Sequence, residues 1–300
     1  MIKPLVRKKP LINETKEAWI LISPILVLLL AFIAIPTLSN FYYGFFRWNG
    51  FSTPEFISLD NYKRMLTDPR FHASLKNMCI LILYIPLGVM VPLILAAILR
   101  GGIKGWTAFR AIYYLPNVLG PVLIGILYAI IFSQIGPLTA ILVRLGIPNA
   151  EDFFLFRGSV SSINALSFIF VIWMRIGFGI IYFLAAMSAI NNSLYEAAEL
   201  DGVNSVQKFI YVTIPNMAFA IQFFTVLCFI EVFARMYSLI ATLTRGGPGF
   251  ATHTLEFSIY HLSFVSFEAG YAAAWSVILF CLCAVIALVQ IHLIKKGKIL

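Results

Sequence analysis

The sequence predicts an all-α, polytopic membrane protein with six kinked transmembrane helices, cytoplasmic N and C termini, and a cytoplasmic helical segment between spans four and five. Three observations predict it. Of the 300 residues 61% are hydrophobic and 12% charged, against about 25% charged in an ordinary soluble domain. Mean hydropathy is +0.91, and a 33.6 kDa chain cannot enclose a core large enough to bury that much apolar surface, so lipid must supply the apolar solvent. The apolar residues are gathered into continuous runs of about 20, the length of a membrane-crossing helix. Of the 22 Lys and Arg, 20 fall in the segments outside those runs.

Residues 1–18 form a basic amino-terminal segment, with Lys3, Arg7, Lys8, Lys9 and Lys16. The apolar run that follows lacks an A-x-A-like cleavage site and outlasts a signal-peptide core, so it reads as a retained first span. The transmembrane domain occupies 19–300, with spans expected at Trp19–Tyr42, Asn77–Leu99, Ala111–Phe132, Ser162–Met187, Met217–Leu243 and Ala272–Ile294. These runs do not alternate in polarity, which excludes barrel strands. Pro24, Pro36, Pro86, Pro92, Pro116 and Pro121 fall inside them and predict kinks, because membrane helices tolerate proline where neighbours re-satisfy the freed carbonyls.

Charge selects the orientation. Segments 1–18, 100–110, 188–216 and 295–300 carry twelve Lys/Arg and five Asp/Glu; segments 43–76, 133–161 and 244–271 carry eight and seven. The first set is therefore expected in the cytoplasm. The net charge of +9 and pI near 9.4 reflect this membrane placement and do not point to a nucleic-acid partner. Cys79, Cys228, Cys281 and Cys283 lie in apolar runs without CxxC spacing, which supports neither disulfides nor zinc.

The connection 188–216 is long and still patterned as helix. Ser193-Leu-Tyr-Glu196 has capping-box spacing, predicting a helix from near Leu194 to Asp201-Gly202, where glycine takes the left-handed conformation. Asn204-Ser-Val-Gln207 predicts a second helix start, continued by Phe209, Ile210 and Val212 to Ile214-Pro215. On these grounds alone the segment is equally a linker.

Glu196-Ala197-Ala198-x-x-Asp201-Gly202, followed by Phe209, Val212 and Ile214-Pro215, resembles the EAA signature of the membrane subunits of ABC importers. Residues Pro54 to Leu83 resemble the first outside loop and second span of the binding-protein-dependent sugar (maltose-type) permeases. Leu243-Thr-Arg-Gly-Gly-Pro-Gly249 through Tyr260, and Gly270 to Ala274, resemble their last outside loop. Asn191 departs from the proline usual after the residue matching Ile190, which bears on the angle at which the first surface helix begins. The resemblance implies that 188–216 is a coupling segment, with Glu196, Ala197, Ala198, Asp201, Gly202 and Pro215 engaging a cytoplasmic ATPase subunit. It further implies a second permease, two ATPase subunits and an extracytoplasmic solute-binding protein as partners, in a bacterial plasma (inner) membrane. No GxxxxGK[ST] occurs in the chain, so ATP and Mg are expected on the partner ATPase, with no cofactor or catalytic residue here.

Ionisable residues inside spans cost about 2.5–3.5 kcal/mol each at the bilayer centre on insertion scales and need a partner or a wet cavity. Arg175, Glu231 and Arg235 are such residues. Glu231 and Arg235 lie four apart in the acid-first order of an internal ion pair, whereas Arg175 has no sequence neighbour to pair with and is expected near a span end. The alternative reading lines the translocation route with Arg175, Glu231, Arg235, Tyr237, Trp173 and Asn164, a set suited to an acidic sugar or sugar phosphate. Gly246, Gly247, Pro248 and Gly249 read either as a flexible turn or, by the resemblance, as an outer gate or binding-protein contact. His253-x-x-Glu256 has metal-compatible spacing but no third ligand nearby. An ion-gradient-driven carrier of a small polar solute is the competing function; it requires no cytoplasmic helix-turn-helix, and no inverted repeat is visible.

Overall fold

A computed structural model describes residues 14–102, 106–133, 135–147 and 159–297. The basic residues Lys3, Arg7, Lys8, Lys9 and Lys104 fall outside the described residues. In chain order the helices are α1 (Glu14–Leu29), α2 (Ile35–Tyr43), α3 (Asp60–Thr67), α4 (Pro69–Arg100), α5 (Trp106–Ile131), α6 (Pro137–Arg144), α7 (Ser159–Ser167), α8 (Met174–Ser188), α9 (Asn192–Leu200), α10 (Ser205–Lys208), α11 (Ile214–Asn216), α12 (Ala218–Ala234), α13 (Tyr237–Leu243), α14 (Leu255–Phe264) and α15 (Ala269–Gly297). Two short strands, β1 (Phe46–Arg47) and β2 (Glu55–Phe56), pair antiparallel between α2 and α3, a small departure from an all-α chain.

Five helical stretches are long and apolar enough to cross a membrane: Lys16–Tyr43, Pro69–Arg100, Ala111–Ile131, Ser161–Ser188 and Ala269–His292. They correspond to spans one to four and six. The expected single fifth span, Met217–Leu243, is corrected: a bend of 75° separates Ser205–Asn216 from Ala218–Ala234, and the helix breaks again at Arg235–Met236 before α13. At 1.5 Å per residue the 17 residues of α12 extend about 25 Å, so this pass depends on its bent flanks to reach both faces.

The kinks fall at specific places. Span three breaks at Gly120 (φ 73°, ψ 165°), directly before Pro121. Span one widens into a π-helical turn at Leu30–Ala34, one turn ahead of Pro36, and span four does the same at Phe168–Trp173. Pro86 and Pro92 are accommodated inside the continuous α4.

The core forms where spans two, four, five and six meet, around Leu81, Leu93, Phe170, Phe183, Phe224 and Trp275. Glycines set the closest approaches: a Cβ at Gly88 would meet the Val171 carbonyl, one at Gly177 the Tyr113 carbonyl, and one at Gly125 the Thr242 side chain. This is the packing expected where lipid removes the hydrophobic drive between helices and van der Waals fit decides association. Span one stays peripheral and is exposed over most of its length, touching span six through contacts such as Phe41–Phe280.

Candidate functional site

Three groups of residues carry the candidate chemistry. The first is the 188–216 segment. Helix α9 starts at Asn192, two residues before the expected start, because Asn191 is its N-cap: the backbone there is extended and the side-chain oxygen accepts from the Ser193 amide at 3.1 Å. Ser193 already lies in the first turn, so the expected Ser193–Glu196 capping box is replaced. The expected stop holds. Gly202 has φ +74°, its amide donates to the Glu199 carbonyl and that of Val203 to the Ala198 carbonyl, a Schellman closure. The Asn204–Gln207 capping box is formed in both directions at 2.9 Å and starts α10. Pro215 sits in α11, immediately before the 75° bend.

Glu196 is exposed on α9 and makes no hydrogen bond or ion pair among the described residues, and Ala197 is exposed beside it. Ala198 turns inward and is buried. Leu200, at 91% exposure, ends the same helix. Arg100, at the end of span two, donates to the Asn192 side chain at 3.1 Å and lies 4.1 Å above the Tyr195 ring, while the Tyr195 hydroxyl pairs with that of Thr213 at 3.0 Å. Span two is thereby tied to both arms of the helix-turn-helix. Sequence reasoning does not single out Arg100; its one signal is a lone cation closing an apolar run.

The second group is a charged triad across spans four and five. Glu231 pairs with Arg175 through one carboxylate oxygen and with Arg235 through the other, at 3.2 Å. The side chains of Arg175 and Glu231 are 15% exposed and that of Arg235 is 68% exposed. The expectation of an unpartnered Arg175 near a span end is corrected, since a helix-to-helix partner 56 residues away is invisible to sequence spacing. Just beyond the triad, the break at Arg235–Met236 leaves helix-start amides that Glu256 satisfies, accepting from Met236 at 2.8 Å and Tyr237 at 3.1 Å. Burial pushes the Glu256 carboxyl up, opposed by those two amides.

Tyr237 follows directly, its ring 4.2 Å from that of Tyr260. The remaining pathway candidates lie apart. Asn164 accepts from Tyr84 of span two at 3.1 Å, and eleven residues, about 16 Å of helix, separate it from Arg175. Trp173 packs on Tyr128 of span three at 5.5 Å.

The third group is the loop 244–258 at the opposite end of span two from Arg100. Asn77 donates to the carbonyls of Phe250 and His253, both at 3.0 Å, and hydroxyl contacts of 3.0 Å link Ser74, Ser258 and His253 Nδ1 in a chain. Thr252 donates to the Gly247 carbonyl at 3.1 Å and contacts the Thr244 hydroxyl at 2.7 Å. Gly246, at φ +86°, packs so closely on the His253 ring that a Cβ would lie 2.5 Å from Nε2. Gly249 also has positive φ, and the Gly247–Pro248 peptide is cis. The run Gly246 to Gly249 is thus a hydrogen-bonded structure clasped to span two. Burial lowers the His253 pKa from the usual 6.5 to about 4, with the charges of His261 and Arg70 acting in the same direction.

No protein-family model matches the chain. It is 31% identical over 298 residues to the probable ABC transporter permease protein YurN of Bacillus subtilis, covering 96% of this chain and 99% of that one. It is 30% identical to the probable starch degradation products transport system permease protein AmyD of Thermoanaerobacterium thermosulfurigenes, covering 94% of each. In fold it is similar to a chain of a bacterial ABC transporter that imports the acidic polysaccharide alginate, with a TM-score of 0.78, 22% identity and coverage of 94% of this chain and 97% of that one. These likenesses do not favour an ion-gradient carrier. With its apolar helices they make the chain a multi-pass protein of the inner membrane, and it belongs to the ABC transporter permease proteins of the sugar-importer type.

Proposed function

We propose that this chain is the permease subunit that carries a carbohydrate across the membrane by alternating access, driven by ATP hydrolysis on a separate subunit. The observation that carries the reading is the capped helix α9, which presents an exposed Glu196 without a partner among the described residues, while Arg100 ties it to span two. A rigid stub with a free carboxylate suits engagement by a partner ATPase, and its ties to spans two and five suit the transmission of a rigid-body movement. In this reading 188–216 and both termini face the cytoplasm. Two ATPase subunits bind there, a second permease completes the route, and a solute-binding protein meets the outer loops around Gly246–Gly249. Relatives such as the starch-product permease AmyD support a carbohydrate cargo.

Within the triad, two guanidinium groups face one carboxylate, and Arg235 is the exposed one. That surplus positive charge favours an acidic saccharide or a sugar phosphate, with Tyr237 beside it as an aromatic surface. The test is uptake by the complete importer in vesicles. Glu196→Lys and Gly202→Asp are expected to abolish ATP-driven uptake while the subunit remains in the membrane; unchanged uptake in both variants would sink the coupling assignment.

A further inference from the structure

At the foot of span two a cavity of about 360 Å³ opens between α4, α8 and the two arms of the helix-turn-helix, lined on its polar side by Arg100, Asn192, Tyr195, Ser205, Lys208 and Thr213. We propose that this cavity is an anion site that takes a phosphate group, carried by a lipid headgroup or free in solution.

Arg100 is the reason. Its guanidinium has only neutral partners, the Asn192 amide and the Tyr195 ring, and no carboxylate among the described residues lies within ion-pair distance. Its Nη1 is closed off from the cavity and has no hydrogen-bond partner among the described residues, so any ligand would meet the rest of the guanidinium. A half-buried charge without a counter-charge is costly and is normally paired. The same wall holds the Lys208 ammonium, whose one carboxylate partner, Glu199, is itself exposed, and the Ser205 hydroxyl, which makes no hydrogen bond among the described residues. A tetrahedral anion with several acceptor oxygens suits a cavity whose lining residues include an arginine without a carboxylate partner, a lysine and a serine. The apolar remainder of the lining, Ala97, Met187 and Phe209, suits a group delivered from the membrane, and basic pockets between helix ends are a recurrent headgroup site. Because α4, α9 and α10 all contribute, an occupied site braces the helix-turn-helix against span two.

The test is direct binding to the purified, complete importer in neutral detergent. The probes are short-chain phosphatidylglycerol, the matching diacylglycerol without phosphate, and inorganic phosphate. The wild type is expected to bind phosphatidylglycerol saturably and the diacylglycerol not at all. Displacement by inorganic phosphate assigns the site to free phosphate as well; no displacement assigns it to the lipid. Arg100→Gln is expected to weaken binding by about tenfold or more, the loss of one charge-assisted contact. Lys208→Gln, which leaves the Arg100 tether intact, is expected to weaken it by a smaller factor. The proposal is overturned if neither phosphate-bearing probe binds saturably, if both variants bind like wild type, or if a carboxylate of the ATPase subunit cross-links to Arg100 in the complex. Binding in detergent requires neither cargo nor sidedness, so its failure is distinct from a failure of the transport reading.

Discussion

The triad of Arg175, Glu231 and Arg235 gives a prediction whose size follows from its geometry. One carboxylate, 15% exposed, serves two guanidinium groups on two spans. Removing it by Glu231→Leu strands Arg175, whose Nε is already buried without a partner among the described residues. Breaking a buried pair from one side costs about 3–5 kcal/mol, whereas replacing both members by apolar groups is often neutral. Glu231→Leu should therefore destabilise by that amount, and the double variant Arg175→Met/Glu231→Leu should return to within about 1–2 kcal/mol of wild type. Arg235→Gln, at a side chain 68% exposed, should cost less than about 1 kcal/mol. The assay is equilibrium unfolding of the purified subunit or complex in detergent, read as a double-variant cycle. If the double variant is as unstable as the sum of the two singles, the pair is not a coupled unit, and the account of how span five is held to span four is wrong.

Other outcomes follow from the same contacts. Arg235→Ala should reduce uptake of an acidic sugar more than that of a neutral one; equal uptake of both would remove Arg235 from the route. Gly202 has positive φ and open space where a Cβ would stand, so Gly202→Ala should cost about 1 kcal/mol of backbone strain, and Gly202→Asn less, measured by melting of the complex. Glu256→Ala should destabilise by about 1–2 kcal/mol through loss of the acceptor for the Met236 and Tyr237 amides, with Glu256→Gln retaining part of it. His253 titrates near 4 in the fold and near 6.5 unfolded, so its contribution is full above pH 6.5 and is lost as pH falls toward 4. Melting temperature against pH should show this decline in the wild type and a flatter profile in His253→Phe.

The helical class, five of the six passes and the ends of the surface helices were legible in the sequence because local rules govern them. Continuous apolar runs demand lipid, Gly202 has few competitors for a left-handed helix stop, and Asn204 with Gln207 satisfies its own turn. Even there, Asn191 took the cap from Ser193, since one residue of extended backbone decides which oxygen faces the free amides.

What no local rule could supply was any pairing across distance. Arg175 finds Glu231 on another span, Glu256 reaches back to close the broken fifth pass, Arg100 holds the helix-turn-helix, and Asn77 clasps the glycine loop. The break at Arg235–Met236 belongs with these: an apolar run in sequence says that lipid or protein must surround it, and only a carboxylate delivered from α14 makes an interrupted helix tolerable there. Composition and spacing determined that this chain lives in a membrane, where its first surface helix stops and where its second starts. Tertiary packing decided where its charges are neutralised and where one is left free, because the partners that settle a buried charge come from helices far apart in the chain.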